Sequence, residues 1–285
     1  MQKNLRQKQL IINADDFGFS PGITEGILRA HQEGIVTSTT IVANMPSAAA
    51  AIPSLKDTRL GAGIHLNLSQ GPPLSKGGLP LAGPDGVMKR SAAGVISACM
   101  LRPRLLQAVA AECEAQIRWV LDQGIRPTHL DSHRHSHAYG PILSIVLTLA
   151  KKYRIPFIRW HREILPGGRW PWARPKQRAI SLVLNCLAWR NSRDFPGANA
   201  FRATRGTWGI AHTGRIDENW LLTAIGAVGP GTTEFMVHPG LPGESDAQAT
   251  RLLETRRVEL AALCSPHVKE AIEQHQVRLV HYGNI

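Results

Sequence analysis

Apolar and polar positions along the first half of the chain predict short strands alternating with amphipathic helices. Residues 10–14 are a compact apolar run. Residues 21–33 carry helical spacing, with Ser20 as N-cap, Pro21 at the first helical position and Gly34 as the stop. The pattern continues with a β-branched strand over 39–43, an Ala-rich helix from Ser47 and a strand over 63–68. A Gly/Pro-rich loop over 71–86 follows, long enough to be functional. Helical periodicity over 105–123 and 142–153 flanks a strand at 127–131, and a further strand falls at 156–159. Late in the chain, 234–237 and 277–281 read as strands and 247–263 and 268–274 as helices. Repeated strand–helix units with these connections imply an α/β fold with a mainly parallel sheet, open or closed into a barrel. In such folds the chemistry gathers at the C-terminal ends of the strands.

The polar residues of interest fall at those ends. Asp15 and Asp16 close the first strand, His65 sits in G-I-H-L-N-L, His129 to His137 follow the strand at 127–131, and His238 follows the one at 234–237. His129, Asp131, His133, His135 and His137 are two apart, so they project to one side for as long as the segment stays extended. Imidazole and carboxylate together are ligands for a divalent transition metal. Each signal has a plainer reading beside it. A His-rich loop binds metal adventitiously, adjacent acids cap helices, and a lone histidine on a strand is usually a core residue. His31, His161, His212, His267, His275 and His281 have no strand-end setting and default to structural or surface roles.

Composition narrows the class. The 285 residues, 43% of them hydrophobic, can bury a sizeable core. Cys99, Cys113, Cys186 and Cys264 are scattered without a CxxC pair, which fits a reducing cytosol. The basic N-terminus has too short an apolar run for a signal peptide, and no stretch reaches the roughly 18–20 apolar residues that span a bilayer. The expected location is cytoplasmic, with peripheral attachment to the inner face of the membrane as a variant.

The net charge of +12 is concentrated: residues 151–205 hold thirteen Lys or Arg against only Glu163 and Asp194. Within them, residues 169–193 have an apolar centre, 179–189, flanked by Trp170, Trp172 and Trp189 and by cations. That is the composition of an interfacial helix suited to an anionic membrane surface. An ordinary core helix with a solvated basic face is the alternative. No nucleic-acid motif accompanies the charge, so no nucleic-acid partner is expected.

The motifs N-A-D-D-F-G-F-S (13–20), G-I-V-T-S-T-T (34–40), G-I-H-L-N-L (63–68), P-T-H-L-D-S-H-R-H-S-H (127–137) and M-V-H-P-G (236–240) resemble those of the YdjC-like carbohydrate deacetylases. That group includes chitooligosaccharide deacetylases and deacetylases associated with hopanoid biosynthesis. The resemblance implies an irregular, TIM-like (β/α) barrel, related in architecture to polysaccharide deacetylases, forming one domain over 1–285 with a basic, Trp-rich insertion at about 165–205. It implies metal-dependent removal of an N-acetyl group from an amino sugar, free or lipid-linked. Matched position by position, it makes Asp15 the general base, His238 the second acid/base group, and Asp16, His65 and His133 the ligands of one divalent cation, Mg or Zn. His129 and His137 compete with His133 for that role. Asp131 is expected to orient an imidazole, and Arg159 to fix a carboxylate or bind substrate. A phosphoesterase on a similar barrel and a non-catalytic glycan- or lipid-binding protein are the alternatives.

Overall fold

The computed structural model describes residues 7–163, 173–243, 246, 250 and 252–285. Its main sheet is built from β1 (Lys8–Phe17), β2 (Ser38–Ile41), β3 (Gly61–Leu66), β6 (His129–Ser132), β7 (Phe157–Ile158), β8 (Thr207–Trp208), β9 (Gly231–Val237) and β10 (Arg278–Val280). A two-stranded antiparallel ribbon, β4 (Gln70–Gly71) with β5 (Met88–Lys89), stands apart. The helices are α1 (Pro21–Gln32), α2 (Ala48–Lys56), α3 (Ala92–Leu101), α4 (Leu105–Asp122), α5 (Gly140–Lys152), α6 (Pro175–Asp194), α7 (Glu218–Gly226), α8 (Leu253–Cys264) and α9 (Pro266–Gln274).

Every pairing in the main sheet is parallel, in the order β7-β6-β3-β2-β1-β9-β8. β10 pairs with the first half of β1, at Gln9–Ile11, and β2 with the second half, from Asn13 onward. The sheet curls into a half-barrel with helices around it, an irregular (β/α) barrel. Its two edges approach each other where the Thr207 amide donates to the Arg162 carbonyl at 3.1 Å. The expected strands and helices are present within a few residues. β8, α3 and α7 had no counterpart in the pattern reading, because two residues are too few to show a period and α3 has little contrast between its faces. The helix expected from 247 begins at Leu253; residues 247–249 and 251 lie outside the described residues.

The core follows from the strand pattern: Leu10, Ile12, Ala14, Ile41, Ile64, Leu66, Leu130, Phe235 and Val237 are all buried against the helices. Two local devices bring distant loops to the strand ends. Ser20 caps α1 by accepting from the Ile23 amide, with Pro21 in the first turn. Gly26, on the same helix, lets the chain after β9 pack directly on it. A Cβ there would stand 2.4 Å from the Gly240 Cα.

The 71–86 loop contains a short 3-10 helix, Lys76–Leu81, and is tied to α4. The buried Glu112 carboxylate accepts from the Leu74 amide (2.9 Å), the Ser75 amide (3.0 Å), the Ser75 hydroxyl (3.1 Å) and Gln116 Nε2 (2.8 Å). Gln116 also exchanges hydrogen bonds with the Asn67 backbone just past β3. Replacing Glu112 by Ala strands these donors and is expected to cost about 2–3 kcal/mol. Limited proteolysis checks it: new cleavage should appear within 71–88 before the rest of the chain opens.

Candidate metal and catalytic site

The site begins with an irregularity in β1. Ala14 aligns with Thr39 but Phe17 with Ile41, so β1 carries one extra residue, and Asp16 adopts φ +77°. Adjacent residues of a regular strand face opposite ways. The bulge lets both Asp15 and Asp16 reach the buried cluster at the C-terminal end of the sheet, and Asp tolerates the left-handed region better than most side chains. The Phe19 amide closes the turn on the Asp16 carbonyl at 3.1 Å.

Three groups meet there. Asp16 Oδ1 lies 3.5 Å from His65 Nε2 and 3.2 Å from His133 Nδ1, and one donor atom from each residue falls within 4.8 Å of the others. His65 stands on β3, and its Nδ1 donates to Asp131 Oδ1 at 2.7 Å, which turns Nε2 toward Asp16. The second oxygen of Asp16 accepts from Arg256 on α8. Asp15, Asp131 and Glu234 converge on Arg159, which follows β7 and is fully buried. Its Nη2 and Nη1 each lie 2.7 Å from an Asp15 oxygen, Nη1 lies 2.6 Å from Asp131, and Nε lies 2.9 Å from Glu234. Thr207 on β8 donates to the other Glu234 oxygen at 2.6 Å. The Arg159 guanidinium is therefore engaged on three carboxylates.

Burial opposes every charge in this cluster, and the partners decide which charges survive. For Asp16, Arg256 and His133 overcome burial and hold the carboxyl well below its ordinary range. Arg159 does the same for Asp15. Asp131 and Asp15 raise His65 to about 9 against burial. Burial wins at His238, pushed down to about 4, and at Glu259, pushed up to about 8. Asp15, Asp16, Asp131 and Glu234 face two arginines and the His65 imidazole, which is raised enough to be a third cation, so four acids stand against three cations. A divalent cation at Asp16, His65 and His133 would offset that surplus, and the two imidazoles and one carboxylate are a donor set such an ion accepts.

The histidine segment departs from the one-sided display. Extension ends at Ser132, and Arg134 and His135 both take left-handed backbone, φ 56° and 60°. His133 alone of the cluster turns to Asp16. His129 lies deeper, stacked on Tyr282 with centroids 3.9 Å apart, in space that Gly63 leaves: a Cβ on Gly63 would meet the ring at 2.4 Å. His137 lies 2.5 Å from the Ser132 hydroxyl and 3.1 Å from the Arg159 carbonyl. Neither joins the groups whose spacing could hold a metal, so their candidacy as competitors of His133 loses its geometric basis. His161, given a structural or surface role by default from sequence, is buried against both His135 and His137, 3.0 Å from His135 Nδ1. The pattern gave no sign of Arg256, Glu234 or Glu259. The Glu259 carboxylate accepts from the His238 amide at 2.6 Å and seats that residue. Glu234 on β9 and Arg256 and Glu259 on α8 are charged residues at buried positions of their elements, and a charge among core positions is the trace sequence leaves of such partners.

Comparisons with known proteins bear on the chain as a whole. The model of the YdjC-like protein family matches residues 9–274. A carbohydrate deacetylase of Brevibacillus brevis is 31% identical over 278 residues, covering 97% of this chain and 99% of that protein. A carbohydrate deacetylase of Geobacillus stearothermophilus is 32% identical over 275 residues, covering 95% and 96%. A solved structure from Enterococcus faecalis V583, provisionally named a cellobiose-phosphate cleavage protein, superposes with TM-score 0.73 at 28% identity, over 97% of this chain and 98% of that one.

The shifts predict how the metal-free protein responds to pH. His129 and His135 are pushed to about 3 and His137 and His238 to about 4, below the 6.5 of a free imidazole. The unfolded chain binds more protons there, so their stabilisation is present above pH 6.5 and lost as pH falls. His65 at about 9 and Glu259 at about 8 act the other way. Their stabilisation is present below the unfolded values of 6.5 and 4.5 and is lost as pH rises through 9 and 8. Thermal melts in chelator should therefore show a maximum near neutrality. His129→Phe should flatten the acid limb and Glu259→Gln the alkaline one. A Tm that still climbs beyond pH 9 contradicts this balance.

Proposed function

The chain belongs to the YdjC-like protein family, and from that membership we propose that it is a carbohydrate N-deacetylase, hydrolysing the N-acetyl group of an amino sugar, free or lipid-linked. The observation that carries the reading is the convergence of Asp16, His65 and His133 on one point beside the Arg159-held Asp15. Near full-length similarity to two proteins named carbohydrate deacetylases supports it. The family match over 9–274 supports reading 1–285 as one domain, with the basic stretch at about 165–205 as an elaboration of it.

Asp16, His65 and His133 would hold the cation, and Asp131 keeps the His65 proton on Nδ1 so that Nε2 is free to bind. Two imidazoles and one carboxylate suit zinc or another late divalent ion better than magnesium. When bound, such an ion supplies Lewis acidity that polarises the acetamide carbonyl.

The chain's own residues handle the protons. Asp15, ionised and locked by Arg159, takes a proton from the attacking water. The arginine makes it a weak base, so the proton passes on as the amide C–N bond breaks. His238 is the group to relay it. Burial keeps its ring neutral at pH 7, so it must first gain the proton that it then gives to the departing amine nitrogen. The products are acetate and the free amino sugar.

Asp15→Asn is expected to lower acetate release from N-acetylated sugars by about 10² to 10⁴, while zinc content stays near that of the unaltered protein. Asp16→Ala and His65→Ala should lose both, as read by elemental analysis and an acetate assay run together. Turnover retained in Asp15→Asn would remove Asp15 from the base role. Phosphate release from sugar phosphates without acetate release from N-acetyl sugars would replace the deacetylase reading.

A further inference from the structure

α6 is held by one face only. Ser181 Oγ donates to Glu163 at 2.6 Å, and the same carboxylate accepts from the Gly209 and Ala211 amides after β8, each at 2.9 Å. Asn191 Nδ2 donates to the Ala138 carbonyl at 2.9 Å, and Leu184 packs with Ala138, Ile210 and Met236. Ser181, Leu184, Ala188 and Asn191 are the buried residues of the helix, spaced as a single stripe.

The opposite face is apolar where a solvated helix would be polar. Leu182 is 65% exposed, Val183 58% and Trp189 64%, and exposed Cys186 lies between them. Cations bracket this centre: Arg174, Lys176 and Arg178 at the start of the helix, Arg190 and Arg193 at its end. Arg193 stacks on the Trp189 ring, 4.8 Å from its centroid. No helix among the described residues is long and apolar enough to cross a membrane.

We propose that the outward face of α6 docks on an anionic lipid surface, with Leu182, Val183 and Trp189 entering the interface and the flanking Lys and Arg lying over lipid phosphates. Charge selects this occupant. The helix with its cap carries Arg174, Lys176, Arg178, Arg190 and Arg193 against Asp194 alone, which pairs with Arg190, so a second copy of the same face would meet it with like charge. A nucleic-acid backbone would satisfy the cations and leave three large apolar side chains against phosphate. An anionic bilayer answers both, because apolar side chains enter the acyl boundary while cations stay at the headgroups. Asn191 and Leu184, on the opposite face, join the docked helix to the segment that carries His133. The docking itself assumes nothing about the reaction.

Vesicle co-sedimentation of the full chain tests it. At about 0.1 M salt the protein should pellet with phosphatidylcholine vesicles containing phosphatidylglycerol and stay in solution with phosphatidylcholine alone. The triple variant Leu182→Gln, Val183→Gln and Trp189→Gln alters exposed helix positions only, and its melting temperature should be unchanged. Its partitioning should fall on the order of tenfold or more. Removing Lys176 and Arg178 as Gln should weaken binding roughly fivefold per cation and reduce its salt dependence. No pelleting of the unaltered protein with anionic vesicles overturns the proposal, as does a triple variant that binds as well as the parent. Dimerisation through Trp189, or RNA binding without vesicle binding, overturns it in favour of those partners. Acetate release in vesicle-free solution reads the deacetylase function separately.

Discussion

One buried guanidinium organises this protein. Arg159 lies past the end of β7, an edge strand, yet it bonds carboxylates on β1, β6 and β9. It can do so because the sheet curls, and it gives three buried acids a shared cation. Removing one partner from such a cluster typically costs about 3–5 kcal/mol, since the charges left behind have no water to turn to. Closure of the half-barrel and ionisation of Asp15 are thus one constraint seen from two sides.

A second pair sets the outer half of the site. Arg256 on α8 holds one oxygen of Asp16 and leaves the other toward His65 and His133. Asp131 serves two masters, accepting from Arg159 and from His65 Nδ1, and so couples the inner cluster to the outer one. Around these clusters, His129 on Tyr282 and the group of His135, His137 and His161 are kept neutral by burial, so they fill space and accept or donate hydrogen bonds without adding charge.

The periphery is tied to this centre at few points. Glu112 and Gln116 on α4 fasten the 71–86 loop beside β3. Glu163 and Asn191 fasten α6 beside the His133 segment. Each fastening uses polar side chains on the inward face of its helix, which leaves the outer surface of the element out of the contact. On α6 that surface is an apolar, cation-bracketed face.

The sequence by itself determined the strand–helix alternation, and with it the parallel sheet and the strand ends at which Asp15, Asp16, His65, His133 and His238 stand. Those features are local, because periodicity, caps and the residue after a strand are read within a few positions. The motifs also carried the family. What only the tertiary structure decided was the partnership of these groups. Alternate spacing from His129 to His137 promises a shared face, but the left-handed turn at Arg134 and His135 ends it after His133. Of the arginines that set the charges, Arg159 lies 144 residues from Asp15 and Arg256 lies 240 from Asp16. No local pattern records such a pairing, because the cost of burying a charge is a property of the folded surroundings and of whichever partner they bring within reach.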